Sequence, residues 1–252
     1  MRKRLLTALV GISISFGLLA LGREGFAVLW AIVGFLLVAE WQRGEGMPWP
    51  FRVGFYPVVG ALWLAGIYPD FLSIAVGLLL GGLALALFWI DPQRDFSWIY
   101  RVGWGLVFLG IGWGSVLWLF FHSYSFSRIV AFLSLVWVSD TAAYFVGKFW
   151  GRWKILPRVS PNKTWEGFIG GVVATMVWGY WAIPWAGGWT GLPPIVGGAV
   201  VAVLAFLGDA WQSAWKRSRN LKDSGALLPG HGGIWDRVDS LLWVALGWYF
   251  LA

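Results

Sequence analysis

Cysteine is absent from the 252-residue chain. That excludes a disulfide framework, a thiolate metal site and a cysteine nucleophile. Charge is scarce: Asp, Glu, Lys and Arg make up 12% of the residues, against about a quarter in a soluble domain. Too little polar surface remains to coat a water-soluble globule. Three motifs are also missing: G-x-x-x-x-G-K-[ST], G-x-G-x-x-G and H-E-x-x-H. The first two would have carried a nucleotide-phosphate loop and the third a zinc helix. What is present is apolar. Hydrophobic residues form 59% of the chain, and the mean hydropathy is +0.70. This is the composition of an integral membrane protein. The 22 tryptophans suit membrane–water interfaces, where an apolar ring with one N–H donor is well placed.

A membrane span needs about 20 predominantly apolar residues. The sequence offers about nine candidates, near Leu5–Leu21, Gly25–Trp41, Val53–Ile67, Phe71–Ile90, Val102–Phe121, Ile129–Gly147, Gly167–Ala186, Pro194–Trp215 and Asp239–Ala252. The first has the basic start of a signal peptide. Its apolar run is too long for one, however, and "LGREG" is no small-x-small cleavage site, so a retained first helix is expected. With the N-terminus in the cytoplasm and alternating sides, all of the 19 basic residues except Arg23 and Arg128 fall on cytoplasmic segments. This agrees with the positive-inside rule and predicts an all-α, polytopic bundle of about nine helices, N-terminus cytoplasmic and C-terminus outside. The formal net charge of +7 then requires no nucleic acid. Topology and anionic lipid or phosphorylated ligands account for it. The N-in arrangement fits a bacterial inner membrane. Loops are bland up to residue 128. Residues 129–252 carry two long charged cytoplasmic loops, so the expected division is a 1–128 scaffold and a 129–252 catalytic region.

Two stretches in that region could carry chemistry. In "VSDTAAYFVGKFWGRWKILPRVSPNKTWEG", Asp140 sits within an apolar helix, where a carboxylate is costly and points to function; the structural alternative is a cap or pair to a neighbouring helix. Ser160-Pro161-Asn162 reads as a turn. Asn162, Lys163 and Thr164 then lead into the next helix, whose start offers N–H groups to an anion. The second stretch is "GDAWQSAWKRSRNLKDSGALLPGHGGIWDRVDS". On a helix, Asp209, Ser213, Lys216 and Arg217 share one face. Lys222 and Asp223 follow, and the glycines around His231 let backbone approach a ligand closely. Asp236, Arg237 and Asp239 close the stretch at the mouth of the last helix. Clustered cations and free N–H groups bind phosphates. Carboxylates on helix ends hold a hard cation such as Mg²⁺, which bridges to substrate phosphates. Together they point to nucleotide or pyrophosphate chemistry on a lipid. The bland alternative is a solvated, salt-bridged loop.

"SAWKRSRNLKDSGALLPGHGGIWDRVD", residues 213–239, resembles the signature of the phosphatidate cytidylyltransferase (CDP-diacylglycerol synthase) family: Ser-x-x-Lys-Arg, Lys-Asp, Pro-Gly-His-Gly-Gly, then Asp-Arg-x-Asp, each in place and at the family's spacing. "SPNKTWEG" and "SDTAAYFVGKFWGR" resemble the family too. The resemblance implies a reaction of CTP with phosphatidic acid to give CDP-diacylglycerol and pyrophosphate, a Mg²⁺ requirement, a homodimer in the bilayer and a polar cavity open to cytoplasm and lipid.

Within that expectation, Asp209 and Asp236 are the candidate metal ligands, and a second cation beside the first would clamp attacking and leaving oxygens. Asp239, Asp223 and Asp140 are further candidates for ligation or its support. Lys216, Arg217, Lys222 and Arg237 would neutralise triphosphate and phosphatidate. Asn162, Lys163 and Thr164 would hold phosphate or cytosine, joined by Ser213. The Gly232–Gly233 backbone would cradle a phosphate, and His231 is either a phosphate donor or a base. Two rival readings remain: a CTP-dependent polyprenol-type lipid kinase, which would release CDP, and an ion-coupled transporter using Asp140 and Asp209. The transporter should show inverted repeats with charge in both halves, whereas the charge here is in one half.

Overall fold

The computed structural model describes residues 13–47, 49–67, 112–122, 125–188, 191–227 and 232–251, together with positions 11, 105, 109 and 110. The described chain is mostly helical. Helices α1 (Arg23–Gly44), α2 (Trp49–Ile67) and α3 (Trp113–His122) are followed by α4 (Phe126–Phe149), a hairpin of β1 (Lys154–Leu156) and β2 (Ser160–Thr164), then α5 (Trp165–Trp185), α6 (Pro194–Ser218) and α7 (Trp235–Leu251). Four of these, α1, α4, α5 and α6, are long and apolar enough to cross a membrane, which makes this a multi-pass membrane protein. They are apolar nearly all round, as helices are when lipid replaces water on their outer side. On α5, for example, Ile169, Val173, Val177, Trp181 and Trp185 are exposed. The expected span Phe71–Ile90 lies outside the described residues, as do residues 1–10 of the first.

The chain divides into two compact units, one of residues 1–123 with 223–235, the other of residues 124–222 with 236–252. The first is held by aromatic side chains of α1, α2 and α3. Trp30 and Trp113 stack with centroids 3.9 Å apart and planes 9° from parallel. Each indole N–H donates to the other residue's carbonyl, at 3.0 Å and 2.9 Å. The Trp63 indole likewise donates to Leu109 O at 2.8 Å. In a bilayer no water is available to these N–H groups, so an apolar ring with an internally satisfied donor is the form of Trp that can be buried there.

In the second unit, α4 packs on α5 and α5 on α6. Small residues allow the approach: a Cβ on Gly171 would lie 3.0 Å from Ser139 O. Helix α5 begins where Thr164 accepts the Gly167 N–H at 3.2 Å, a side-chain N-cap of the ordinary kind. Helix α6 ends at Ser218 because Asn220 turns into the left-handed region (φ 54°), which Asn tolerates well. Leu221 N then reaches Lys216 O at 2.8 Å and Asn220 N reaches Arg217 O at 3.1 Å, the paired bonds of a Schellman stop.

The hairpin amends the all-helical expectation and corrects one reading. Ser160-Pro161-Asn162 is not the turn. The turn is at residues 157–159, with Val159 N bonded to Leu156 O at 3.2 Å, and Ser160–Thr164 pairs antiparallel with Lys154–Leu156. Pro157, with its fixed φ and missing donor, breaks the chain first. Pro161 is tolerated in β2 because both strands of a two-stranded sheet are edges.

The reciprocal indole pair generates a prediction. Trp30→Phe leaves the Trp113 carbonyl without its indole donor and should lower stability by about 1–3 kcal/mol, read as a lower unfolding midpoint of the detergent-solubilised protein. An unchanged midpoint would mean the pair carries no net stability.

Candidate active site

An open cavity of ≈ 440 Å³ lies within the second unit between α4, β2, α5, α6 and the start of α7, a size usual for a small-molecule site. Asp140 and Ser139 come from α4, Asn162, Lys163 and Thr164 from β2, Asp209 and Lys216 from α6, and Asp236, Asp239 and Ser240 from α7. Asp209 lies inside its helix rather than at the end where the sequence suggested it, because α6 continues past it to Ser218; α7 starts at Trp235, so Asp236 is in its first turn. A carboxylate there suits the positive end of the helix dipole. Close packing of α6 on α7 depends on Gly208, where a Cβ would lie 2.6 Å from Asp239 O.

Two ion pairs line the cavity, and they differ. Lys216 Nζ donates to Asp236 Oδ1 at 2.7 Å, with side chains only 13% and 10% exposed. Gln212, itself buried, donates to the same oxygen at 3.2 Å. This pair is closed, tying α6 to α7. Lys163 Nζ meets Asp209 Oδ2 at 2.9 Å, and here the Asp209 side chain is 43% exposed, so of the two paired carboxylates this is the more open to a ligand. Lys163 is further held over the Phe206 ring, 4.5 Å from its centroid. Ser213 donates to Asp209 Oδ1 at 3.3 Å.

Asp140, Asp209 and Asp239 are near enough for their charges to act on one another. Among the cavity-lining residues, four carboxylates, Asp140, Asp209, Asp236 and Asp239, stand against two ammonium groups, Lys163 and Lys216. All the acidic donors are hard oxygens, which fits Mg²⁺ or a similar cation. Among the described residues no group of three His, Cys, Asp or Glu side chains is placed to hold a metal by itself. A site that completes its coordination with substrate phosphates needs fewer protein ligands.

The remaining expected residues are placed elsewhere. Arg217 donates to Leu221 O at 2.9 Å and is exposed. Neither it nor Lys222, Arg237 or Ser213 lines the cavity. Asp223, Gly232 and Gly233 belong to the first unit, and His231 lies outside the described residues. The structure adds residues that pattern reading passed over. Gln212 lies on the same helix as Asp209 and Lys216, and a polar amide in so apolar a helix was a readable signal. Phe206 and Phe168, whose rings pack 4.7 Å apart, line the cavity but were indistinguishable in sequence from core aromatics.

Residues 2–252 match the model of the Cytidylyltransferase family. A protein of Pseudomonas aeruginosa named phosphatidate cytidylyltransferase is 36% identical over 268 residues, covering 98% of each chain. One of the same name from Brucella suis is 33% identical over 256 residues, 96% of this chain and 89% of its own. Another from Synechocystis sp. is 29% identical over 286 residues, 99% and 96%.

The closed ion pair makes a two-part prediction. Lys216→Met removes the cation and leaves a buried carboxylate, so it should destabilise the protein by about 3 kcal/mol or more. Lys216→Met with Asp236→Leu should recover most of that stability. If the double variant unfolds as early as the single one in thermal denaturation, the cost is not an unpaired charge.

Proposed function

Because the chain belongs to the cytidylyltransferase family, we propose that it transfers the cytidylyl group of CTP to phosphatidic acid, giving CDP-diacylglycerol and pyrophosphate for phospholipid synthesis. A phosphate oxygen of phosphatidic acid attacks the α-phosphorus of CTP. The bond from that phosphorus to the bridging oxygen of the β-phosphate breaks, and pyrophosphate leaves with the electron pair. Such a transfer depends mainly on alignment and on neutralising charge. The observation that carries this reading is the cavity's mixture of two lysines with a surplus of carboxylates. Lysines alone would serve an anion. The surplus carboxylates would repel a triphosphate unless a cation came with it.

Mg²⁺, once bound, would neutralise phosphate charge and polarise the reacting phosphoryl group, and Asp209 and Asp236 are its proposed ligands. Asp209 is the open one. Asp236 would share its carboxylate with Lys216, which is thereby fixed where it can meet a phosphate. Lys163 exchanges Asp209 for phosphate when substrate binds, and Asn162 and Thr164 orient the nucleotide beside it. Asp140 and Asp239 support the cation through their field. Arg217, Lys222 and Arg237 are proposed substrate contacts outside the cavity wall.

We place the protein in a bacterial inner membrane with about nine spans, N-terminus inside, C-terminus outside and the site facing the cytoplasm. The support is the distribution of basic residues between loops. A homodimer is proposed on the family resemblance alone.

Purified protein in detergent should release pyrophosphate from CTP only when both phosphatidic acid and Mg²⁺ are supplied. CDP as the product would establish the kinase reading instead. Asp209→Asn should reduce turnover by about 100-fold or more without loss of fold, and near-normal activity would remove Asp209 from the metal site. Lys163→Ala should raise KM for CTP or lower kcat, and unchanged kinetics would move β2 out of the site.

A further inference from the structure

Glu40, on α1, is a carboxylate with 1% of its surface exposed, in a helix otherwise apolar enough to cross a membrane. A buried charge of this kind must be compensated. No lysine or arginine among the described residues pairs with it. Its partners are backbone. Oε1 accepts the Ile234 N–H at 2.9 Å, and Oε2 accepts the Trp235 N–H at 3.0 Å together with the Ser224 hydroxyl at 3.2 Å.

Ile234 and Trp235 are the residues at which α7 begins. Their N–H groups have no partner within the helix, and a neighbouring Ser, Thr or Asp ordinarily receives them. Neither Gly233 nor Ile234 has a side-chain oxygen. A carboxylate 194 residues away in sequence does the work instead. It also sits at the positive end of the helix dipole. The surrounding glycines make the space. A Cβ on Gly225 would lie 2.6 Å from Glu40 Oε1, and one on Gly233 would lie 2.5 Å from Oε2. At Gly233, then, the close backbone approach that the sequence suggested is made to the protein's own carboxylate.

The residue that follows Trp235 is Asp236, the holder of Lys216. We infer that Glu40 is a positioning residue for the cytidylyl-transfer site. By gripping two consecutive N–H groups with two oxygens, it fixes the backbone at which α7 starts, and Asp236 follows it in the same helical turn. This inference rests on the proposed function for its kinetic consequence, but its structural half can be tested without it.

Glu40→Gln tests both halves. The amide keeps the shape and one acceptor but turns an N–H donor toward the second backbone N–H. In full-length protein that still elutes as a single species, kcat for pyrophosphate release should fall at least tenfold while KM for CTP changes less than threefold. Hydrogen–deuterium exchange of the segment 232–239 should speed up at least tenfold, with α5 unaffected. If Glu40→Gln does not fold, Gly225→Ala presses on the same carboxylate from the loop before α7, and the same kcat-selective loss and local exchange are expected. A kcat within twofold of wild type, or unchanged exchange at 232–239, would overturn the inference. Absence of pyrophosphate release by the wild-type protein would instead defeat the proposed reaction, and the exchange measurement would then decide Glu40 alone.

Discussion

Lys216 and Asp236 meet where neither has much water left. That contact organises the candidate site. It ties the last third of α6 to the first turn of α7, and it would be too costly in an apolar bundle if either partner were misplaced. Several otherwise unconnected features keep the partners in register. The Asn220 stop ends α6 just beyond Lys216. Gln212 takes the same Asp236 oxygen from one turn earlier. The Gln212 N–H finds its acceptor within the protein, as a buried donor must where water is excluded.

The second ion pair has the opposite character. Lys163 stands on a two-stranded hairpin rather than on a spanning helix, and its partner Asp209 is nearly half exposed. Lys163 itself is only 15% exposed, so the open side of this pair is Asp209, where an incoming cation has access. The cavity thus has one rigid charged wall and one open wall. That division suits a reaction whose substrates bring several negative charges and whose product must leave.

Most helices were legible because apolar runs of sufficient length have few alternatives: Gly25–Trp41, Gly167–Ala186 and Pro194–Trp215 all fall on observed helices with ends shifted by a few residues. The two cavity lysines and four aspartates were legible because charge is rare in this chain and so carries information. The hairpin was not, since Pro161-Asn162 has turn chemistry and the competing breaker, Pro157, is only a few residues away. Glu40 escaped notice for a different reason. At the end of an apolar run, a glutamate reads as the place where the helix meets water, and only the fold shows that it turns inward to residues near 234. Gly233 was singled out for its close backbone approach, but spacing along the chain could not say what would approach it.

The notch at Gly208 has an electrostatic meaning. Asp209 on α6 and Asp239 on α7 are near enough to act on one another, and repulsion between their ionised forms rises as the helices close. How near the helices come is decided by a hydrogen atom where other residues carry a methyl group. The position therefore works as a spacer of zero thickness. It lets the helices close until Asp209 and Asp239 lie within each other's field, so a positive charge beside them is favoured.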